Sequence, residues 1–185
     1  IVPLVDENRL LVQKGLEILE TTKKLGLNAL KTVAALSGKL TSMDLGFRLG
    51  PRLNASGRLD TAQASLDLLL ATEALPAQQL AQVLDGHNRA RQLLEHSIHL
   101  EAEKAAVQAI KQTDPAGMVV AAEEWHPGVV GIVASRLVKK YHRPVFVIAI
   151  NEGTGRPDIR KLAIEASKSG ISGWEMKFLR EVLHV

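Results

Sequence analysis

Cysteine is absent from this 185-residue sequence. The chain can therefore form neither a disulfide framework nor a thiolate metal site, which excludes zinc ribbons and thiol enzymes. Aromatic residues make up only 3% of the sequence, which argues against a broad surface that stacks on the bases of a single strand. The longest apolar run, Val145 to Ile150, is far shorter than the ~20 residues of a membrane span, and no leader opens the chain. We therefore expect a cytoplasmic globular protein.

Neither sign of charge is in large excess. The 23 basic and 20 acidic residues give a net charge of +3, so total charge alone is weak evidence for a nucleic-acid partner. The distribution is more informative, because the arginines lie near glycines, prolines and predicted helix ends, while many glutamates lie in amphipathic helical segments. This predicts a locally basic surface, which suits a polyanionic partner.

The spacing of apolar residues predicts an α/β protein whose N-terminal part is mainly helical. A first helix is expected to have Asp6 as its N-cap and to end before Gly26, and a second covers residues 27–36. Another runs from Asp60 or Thr61 to about Ala71. The hydrophobic content of 46% is enough for a buried core.

A long connecting helix is predicted next. No stop signal interrupts the chain from Pro76 until Asp114 and Pro115, which gives a helix of roughly 37 residues, or ~55 Å. Because such a length usually exceeds one compact domain, we interpret it as a connector between two lobes. Its apolar stripe is expected to consist of Leu80, Val83, Leu84, Leu93, Leu94 and Ile98.

A small βαβ lobe follows the long helix. Residues 117–122 and 145–150 are short, wholly apolar segments, and a helix of about 12 residues is expected between them. Two such strands should be parallel neighbours in a covered sheet, joined by a right-handed crossover.

The segment GPRLNASGR contains two arginines and the side-chain amide of an asparagine. Pro51 and Gly57 are expected to keep this segment out of regular structure, so that one loop carries Arg52, Asn54, Ser56 and Arg58. The planar fork of arginine suits phosphate, and such a loop could direct both arginines and the amide at one oxyanion. The alternative is a surface loop whose arginines pair with nearby carboxylates.

A second candidate anion site is the strand, turn and helix start in WHPGVVGIVASR. The amides of Gly128, Val129 and Val130 are expected to be unpaired at the helix start, which favours an anion, and His126 stands where it could donate to it. The alternative is that Gly128 and Gly131 only let the helix approach the sheet closely, while His126 caps the turn.

A third candidate lies in EGTGRP, after the second strand. Gly153, Thr154, Gly155 and Arg156 would form a backbone nest with a hydroxyl and a guanidinium. Both glycine segments then follow parallel strands, at the edge where open α/β sheets place ligands. The pattern is not a dinucleotide fingerprint, since no G-x-G-x-x-G opens a helix.

No catalytic or metal-binding residue is predicted within these 185 residues. His96 and His99 have a spacing that could share a metal ion. A helical pair supplies only two ligands, however, and no carboxylate between them completes a recognised site.

Taken in order, these segments resemble the RecJ single-stranded-DNA exonucleases of the DHH phosphoesterase superfamily. The resemblance spans residues 1 to 156 and is carried by IVPLVDENRLLVQKGLEIL, FRLGPRLNASGRLDTAQASLDLLLAT, LAQVLDGHNRARQ and WHPGVVGIVASRLVKKYHRPVFVIA. It implies that this chain is an interior fragment. The implied parts are the helical end of the DHH catalytic domain (1–75), the connector helix (76–113), the start of the DHH-associated α/β domain (114–156), and a divergent tail of uncertain structure (157–185).

The resemblance also implies which residues handle DNA. The family uses the segments that match residues 52–58 and 153–156 to hold the DNA backbone or its 5′ phosphate, and the histidine-glycine motif faces the same cleft. Thr154 stands where the family usually has serine, and Pro157 replaces a further serine. The implied DNA- and phosphate-binding residues are Arg52, Asn54, Arg58, His126, Gly128, Thr154, Gly155 and Arg156.

The family's aspartate and histidine metal ligands all lie upstream of this segment. The resemblance therefore implies Mn²⁺ or Mg²⁺ in the full protein, none bound by these residues, and no hydrolysis by the fragment alone. The implied activity is metal-dependent 5′ to 3′ hydrolysis of single-stranded DNA in repair and recombination, with other repair proteins as partners and no membrane. Two alternatives stay open: a DHH-family phosphodiesterase for oligonucleotides or cyclic dinucleotides, and a noncatalytic nucleic-acid-binding module.

Overall fold

The computed structural model describes residues 3–113 and 116–150 of the chain. The chain divides into two compact units, residues 1–92 and 93–185. The elements in chain order are α1 (Asp6–Glu20), α2 (Leu25–Val33), α3 (Ser42–Asp44), a π-helix (Leu45–Leu49), α4 (Gly50–Leu59), α5 (Gln63–Leu70), α6 (Ala74–Thr113), β1 (Met118–Glu123), α7 (Pro127–Tyr141) and β2 (Val145–Ile150). The predicted α/β class, with a mainly helical N-terminal part, is confirmed.

The core of the first unit forms where α2, α5 and the first half of α6 meet. Leu30, Leu68 and Leu84 are fully buried there and belong to one apolar cluster. Gly26 lies inside α2, and a Cβ added to it would come within 1.7 Å of the carbonyl oxygen of Leu68 in α5. The backbones of α2 and α5 are therefore too close for any side chain at this position.

The predicted loop over residues 50–58 is wrong, because this segment is helix α4. A capping box starts the helical run: the Thr41 hydroxyl accepts from the Asp44 amide at 3.3 Å, and the Asp44 carboxylate accepts from the Thr41 amide at 3.0 Å. A proline inside a helix lacks an amide and crowds the carbonyl four residues earlier. Directly before Pro51, the Gly50 amide donates to the Leu45 carbonyl in a π-turn. This turn shifts the hydrogen-bond register at that point, so the helix continues through the proline.

The long helix α6 begins two residues before the predicted start and runs for 40 residues. Its predicted apolar stripe is only partly correct. Leu84 and Ile98 are buried, but Val83, Leu93 and Leu94 are exposed. Alanines supply much of the buried face instead, because their small side chains let neighbouring elements pack close to the helix axis. The buried alanines of α6 are Ala77, Ala81, Ala102 and Ala106.

In the second unit, α7 connects the two strands. The strands pair in parallel from Met118 opposite Val145 to Glu123 opposite Ile150, which confirms the predicted βαβ lobe. The buried face of α7 consists of Val129, Val133 and Leu137, spaced four residues apart as helical geometry requires. The pairing brings the carboxyl ends of β1 and β2 to the same edge of the sheet. In the described ranges, no helix combines the length and apolarity needed to cross a membrane.

Candidate nucleic-acid interface

Arg52 on α4 is held by hydrogen bonds within the first unit. Its Nε donates to Asp85 Oδ1 of α6 at 2.9 Å, and its Nη1 donates to the carbonyl of Arg48 at 2.7 Å. The side chain is only 18% exposed. Arg52 therefore pairs with a carboxylate, as the alternative interpretation of this segment proposed. Its guanidinium has a fixed position beside α6.

Asn54 and Arg58 lie on a different face of α4 from Arg52. They are four residues apart and both are exposed, so helical geometry places them one turn apart on the same side. The structure thus brings Asn54 and Arg58 together but does not aim Arg52 and Arg58 from a single loop. The helical conformation of α4 causes this separation.

Two buried polar side chains of α6 hold further arginines. Asp85 accepts from Arg52 with one oxygen, and its Oδ2 lies 2.7 Å from Nη2 of Arg89. Asn88 is also buried, and its Oδ1 accepts from Nη2 of Arg91 at 2.9 Å. These partners were not predicted from the sequence, although the i, i+4 spacing of Asp85 and Arg89 and the i, i+3 spacing of Asn88 and Arg91 are signals for them.

His126 caps α7, as the second interpretation of its segment predicted. Its Nδ1 accepts from the amide of Gly128 at 3.1 Å, and its carbonyl accepts from the amides of Val129 at 3.0 Å and Val130 at 3.2 Å. The expectation that these three amides are unpaired at the helix start is therefore wrong. Because Nδ1 is an acceptor, the proton of the neutral ring is on Nε2, and this atom can donate to an anion.

Trp125 anchors the turn that carries His126. The indole is buried, and its Nε1 donates to Oε2 of Glu101 on α6 at 2.8 Å. Both residues belong to the second unit. Trp125 was not among the residues predicted to form the site. A tryptophan next to a predicted cap is a usable signal, because a buried indole needs an acceptor for its N–H.

Ion pairs attach α7 to the second half of α6. Arg136 contacts the buried carboxylate of Glu95, and Lys140 contacts Glu103. The hydrogen bond from Lys140 holds the pKa of Glu103 below its ordinary value, and the same bond raises the pKa of Lys140. The pKa of Tyr141, whose hydroxyl donates to Glu103, is raised mainly by burial. Arg136 and Lys140 are thus engaged in packing the α/β unit.

The structure leaves one part of the predicted site without a geometric description. Thr154, Gly155 and Arg156 lie outside the described residues. Among residues 3–113 and 116–150, no three histidine, aspartate or glutamate side chains come together in a group that would hold a metal ion. His99, one of the two histidines weighed as ligands, instead places its Nε2 3.4 Å from Glu103.

The relatives that comparison with known proteins finds agree with one another. The chain is 42% identical over 157 residues to the single-stranded-DNA-specific exonuclease RecJ of Bacillus subtilis, with 84% of this chain and 20% of the relative covered. It is 39% identical to RecJ of Haemophilus influenzae, with 100% of this chain and 31% of that protein covered. A crystal structure of RecJ from Thermus thermophilus in complex with Mg²⁺ superposes with a TM-score of 0.70 at 36% identity, covering 80% of this chain and 23% of that one. The chain belongs to the RecJ family.

This assignment confirms the family that the ordered motifs indicated. No protein-family model matches the chain. The chain spans only about a fifth to a third of the length of the RecJ proteins named above. The alignment with the Haemophilus influenzae RecJ covers the whole chain, so it includes residues 157–185, which the RecJ motifs left without a counterpart.

Proposed function

We propose that this chain is the DNA-holding part of a RecJ-type exonuclease that degrades single-stranded DNA from 5′ to 3′. The observation that carries the proposal is the likeness in fold and sequence to RecJ of Thermus thermophilus, with a TM-score of 0.70 at 36% identity. A likeness of this degree over 80% of the chain favours a shared biochemical role over a shared fold alone. Repair and recombination of DNA in the cytoplasm, together with other repair proteins, form the proposed cellular setting.

The proposed contribution of the chain is to bind the sugar-phosphate backbone. Asn54 and Arg58 offer an amide and a guanidinium on the exposed face of α4, and Arg52 holds a guanidinium beside α6. The Nε2 of His126 is a further donor, and Gly128 contributes by forming the capped turn that orients this ring. Thr154, Gly155 and Arg156 are proposed as contacts to the backbone or the terminal 5′ phosphate. These groups suit phosphate oxygens rather than base edges, which is appropriate for an enzyme that degrades any sequence.

A divalent metal is part of the proposal for the whole protein only. Related RecJ crystal structures contain Mg²⁺ or Mn²⁺. The described residues of this chain do not fit such an ion, since they bring no three suitable side chains together. We therefore assign the metal to the remainder of the protein and derive no hydrolytic step from the residues present here.

The test uses the full-length protein that contains this chain, with Mn²⁺ and a 5′-labelled single-stranded oligonucleotide. Release of labelled mononucleotide at the first turnover, with little release from a duplex of the same sequence, is the expected result. A 3′-labelled copy should only shorten stepwise. Preferential hydrolysis of cyclic dinucleotides or of very short oligonucleotides would favour the phosphodiesterase alternative. Binding without any cleavage would favour the noncatalytic module.

A further inference from the structure

Asp85 occupies an unusual position for a carboxylate in the first unit. Its side chain is only 9% exposed, and each oxygen faces a different arginine: Oδ1 the Nε of Arg52, and Oδ2 the Nη2 of Arg89. A buried carboxylate is costly unless it is paired and hydrogen-bonded. Two guanidiniums on two helices, α4 and α6, satisfy it.

One arginine would suffice to neutralise Asp85. With both present, the three side chains carry two positive charges and one negative charge, so one positive charge remains. The Arg89 side chain is 76% exposed, and among the described residues its guanidinium has no hydrogen-bond or ion-pair partner other than Asp85. The remaining N–H groups of the planar Arg89 guanidinium therefore point to solvent, in an orientation that the Asp85 contact fixes.

We infer that Arg89 is an additional phosphate contact for single-stranded DNA and that Asp85 is the positioning residue for both Arg89 and Arg52. This inference rests on the proposed function, because it takes the ligand to be the DNA backbone. A guanidinium that is already oriented loses less conformational freedom on binding phosphate than a freely rotating one. The carboxylate of Asp85 thus orients Arg52 on α4 and Arg89 on α6 for contact with phosphate.

Substitution of Asp85 by asparagine separates positioning from simple charge. Asp85→Asn raises the net charge of the protein by one unit, so if Asp85 only neutralises nearby arginines, affinity for DNA should increase. If Asp85 positions them, affinity should decrease. The amide of asparagine can accept from one guanidinium, but its NH₂ group faces the other donor and releases that arginine. The two interpretations therefore predict opposite signs.

The experiment measures binding of the full-length protein to a fluorescent oligo-dT by anisotropy at several salt concentrations, without divalent metal so that the strand stays intact. We expect Arg89→Ala to bind about tenfold more weakly, with a salt slope smaller by about 0.7. Asp85→Asn should bind about three- to tenfold more weakly without a smaller slope. Arg89→Lys should leave the salt slope unchanged but lower the affinity, because lysine keeps the positive charge but lacks the planar set of N–H donors of arginine. Arg9→Ala, which removes an exposed arginine of α1, is the matched control and should leave binding unchanged.

The outcomes distinguish this inference from the function on which it rests. If the unaltered protein does not bind single-stranded DNA, the proposed function and this inference both fail. If the unaltered protein binds, but Arg89→Ala matches Arg9→Ala or Asp85→Asn binds more tightly, only the inference is overturned. Thermal unfolding of each variant controls for folding. Should Asp85→Asn prove unfolded, the pair Arg89→Ala and Arg89→Lys still decides whether Arg89 contacts phosphate.

Discussion

At the residue scale, Gly26 sets the distance between α2 and α5. We predict that Gly26→Ala destabilises the protein by about 3 kcal/mol, the upper part of the usual range for overpacking, because the obstacle is a backbone oxygen that cannot rotate away. That oxygen, of Leu68, lies 1.7 Å from the position of the new Cβ. Equilibrium unfolding in denaturant measures the change.

Gly15→Ala is the control for this substitution. Gly15 lies inside α1 with nothing within 4 Å of an added Cβ, so alanine should stabilise the helix by roughly 0.5 to 1 kcal/mol. Equal effects of the two substitutions would show that the close approach of α2 and α5 does not exist in solution.

Single residues also show how far sequence reasoning reaches. It correctly identified His126 as a potential cap, and it weighed arginine-carboxylate pairing for Arg52. It could not decide either question. Whether an amide at a helix start is unpaired depends on the conformation of the preceding side chain, and the partner of Arg52 is Asp85, 33 residues away. Long-range partners of this kind follow from tertiary packing and not from local spacing.

At the element scale, the attachment of α7 to α6 should depend on pH. The folded-state pKa of Glu103 is lowered by Lys140, so the pair contributes stability above the pH at which an unfolded glutamate titrates. This contribution disappears as the pH falls through the lowered pKa. We expect Glu103→Gln to remove the part of the stability loss at low pH that Glu103 causes. The measurement compares the unfolding midpoints of the unaltered protein and the variant across the acidic range.

The dependence of stability on pH in the alkaline range provides the check on this prediction. The pKa of Lys140 is raised by the same pair, so its contribution is fully present below the ordinary lysine value and disappears as the pH rises through the raised one. Near neutral pH both groups are charged, and Glu103→Gln should lower stability there. If the two proteins lose stability in parallel throughout the acidic range, Glu103 is not the responsible group.

The elements themselves differ in how well sequence predicts them. The bounds of the long helix and of both strands were predicted within about two residues, and α7, expected to have about 12 residues, has 15. Helix α4 was missed because Pro51 and Gly57 count as helix breakers in a sequence pattern. The π-turn at Leu45–Leu49 that accommodates the proline has no comparable sequence signal.

At the scale of the whole molecule, the absence of a metal-binding group from residues 3–113 and 116–150 leads to a prediction for the isolated chain. We expect the purified 185-residue chain to release no nucleotides from single-stranded DNA, even with excess Mn²⁺, because its described residues bring no three suitable side chains together to hold an ion that activates water. Release of acid-soluble nucleotides from labelled DNA measures this. Activity that persists through repeated purification and is lost on adding a chelator would contradict the prediction.

The boundary between the two units falls between Gln92 and Leu93, inside the uninterrupted helix α6. Because the backbone at this boundary is helical, we do not expect a protease to separate the units there, since a helical backbone does not fit the extended conformation that proteases bind. Expressing either unit alone by cutting at this boundary would leave a helix end with up to four unsatisfied backbone groups. Local unfolding that starts in one unit can also fray along α6 into the other, so amide hydrogen exchange around the boundary reports on the opening of both units.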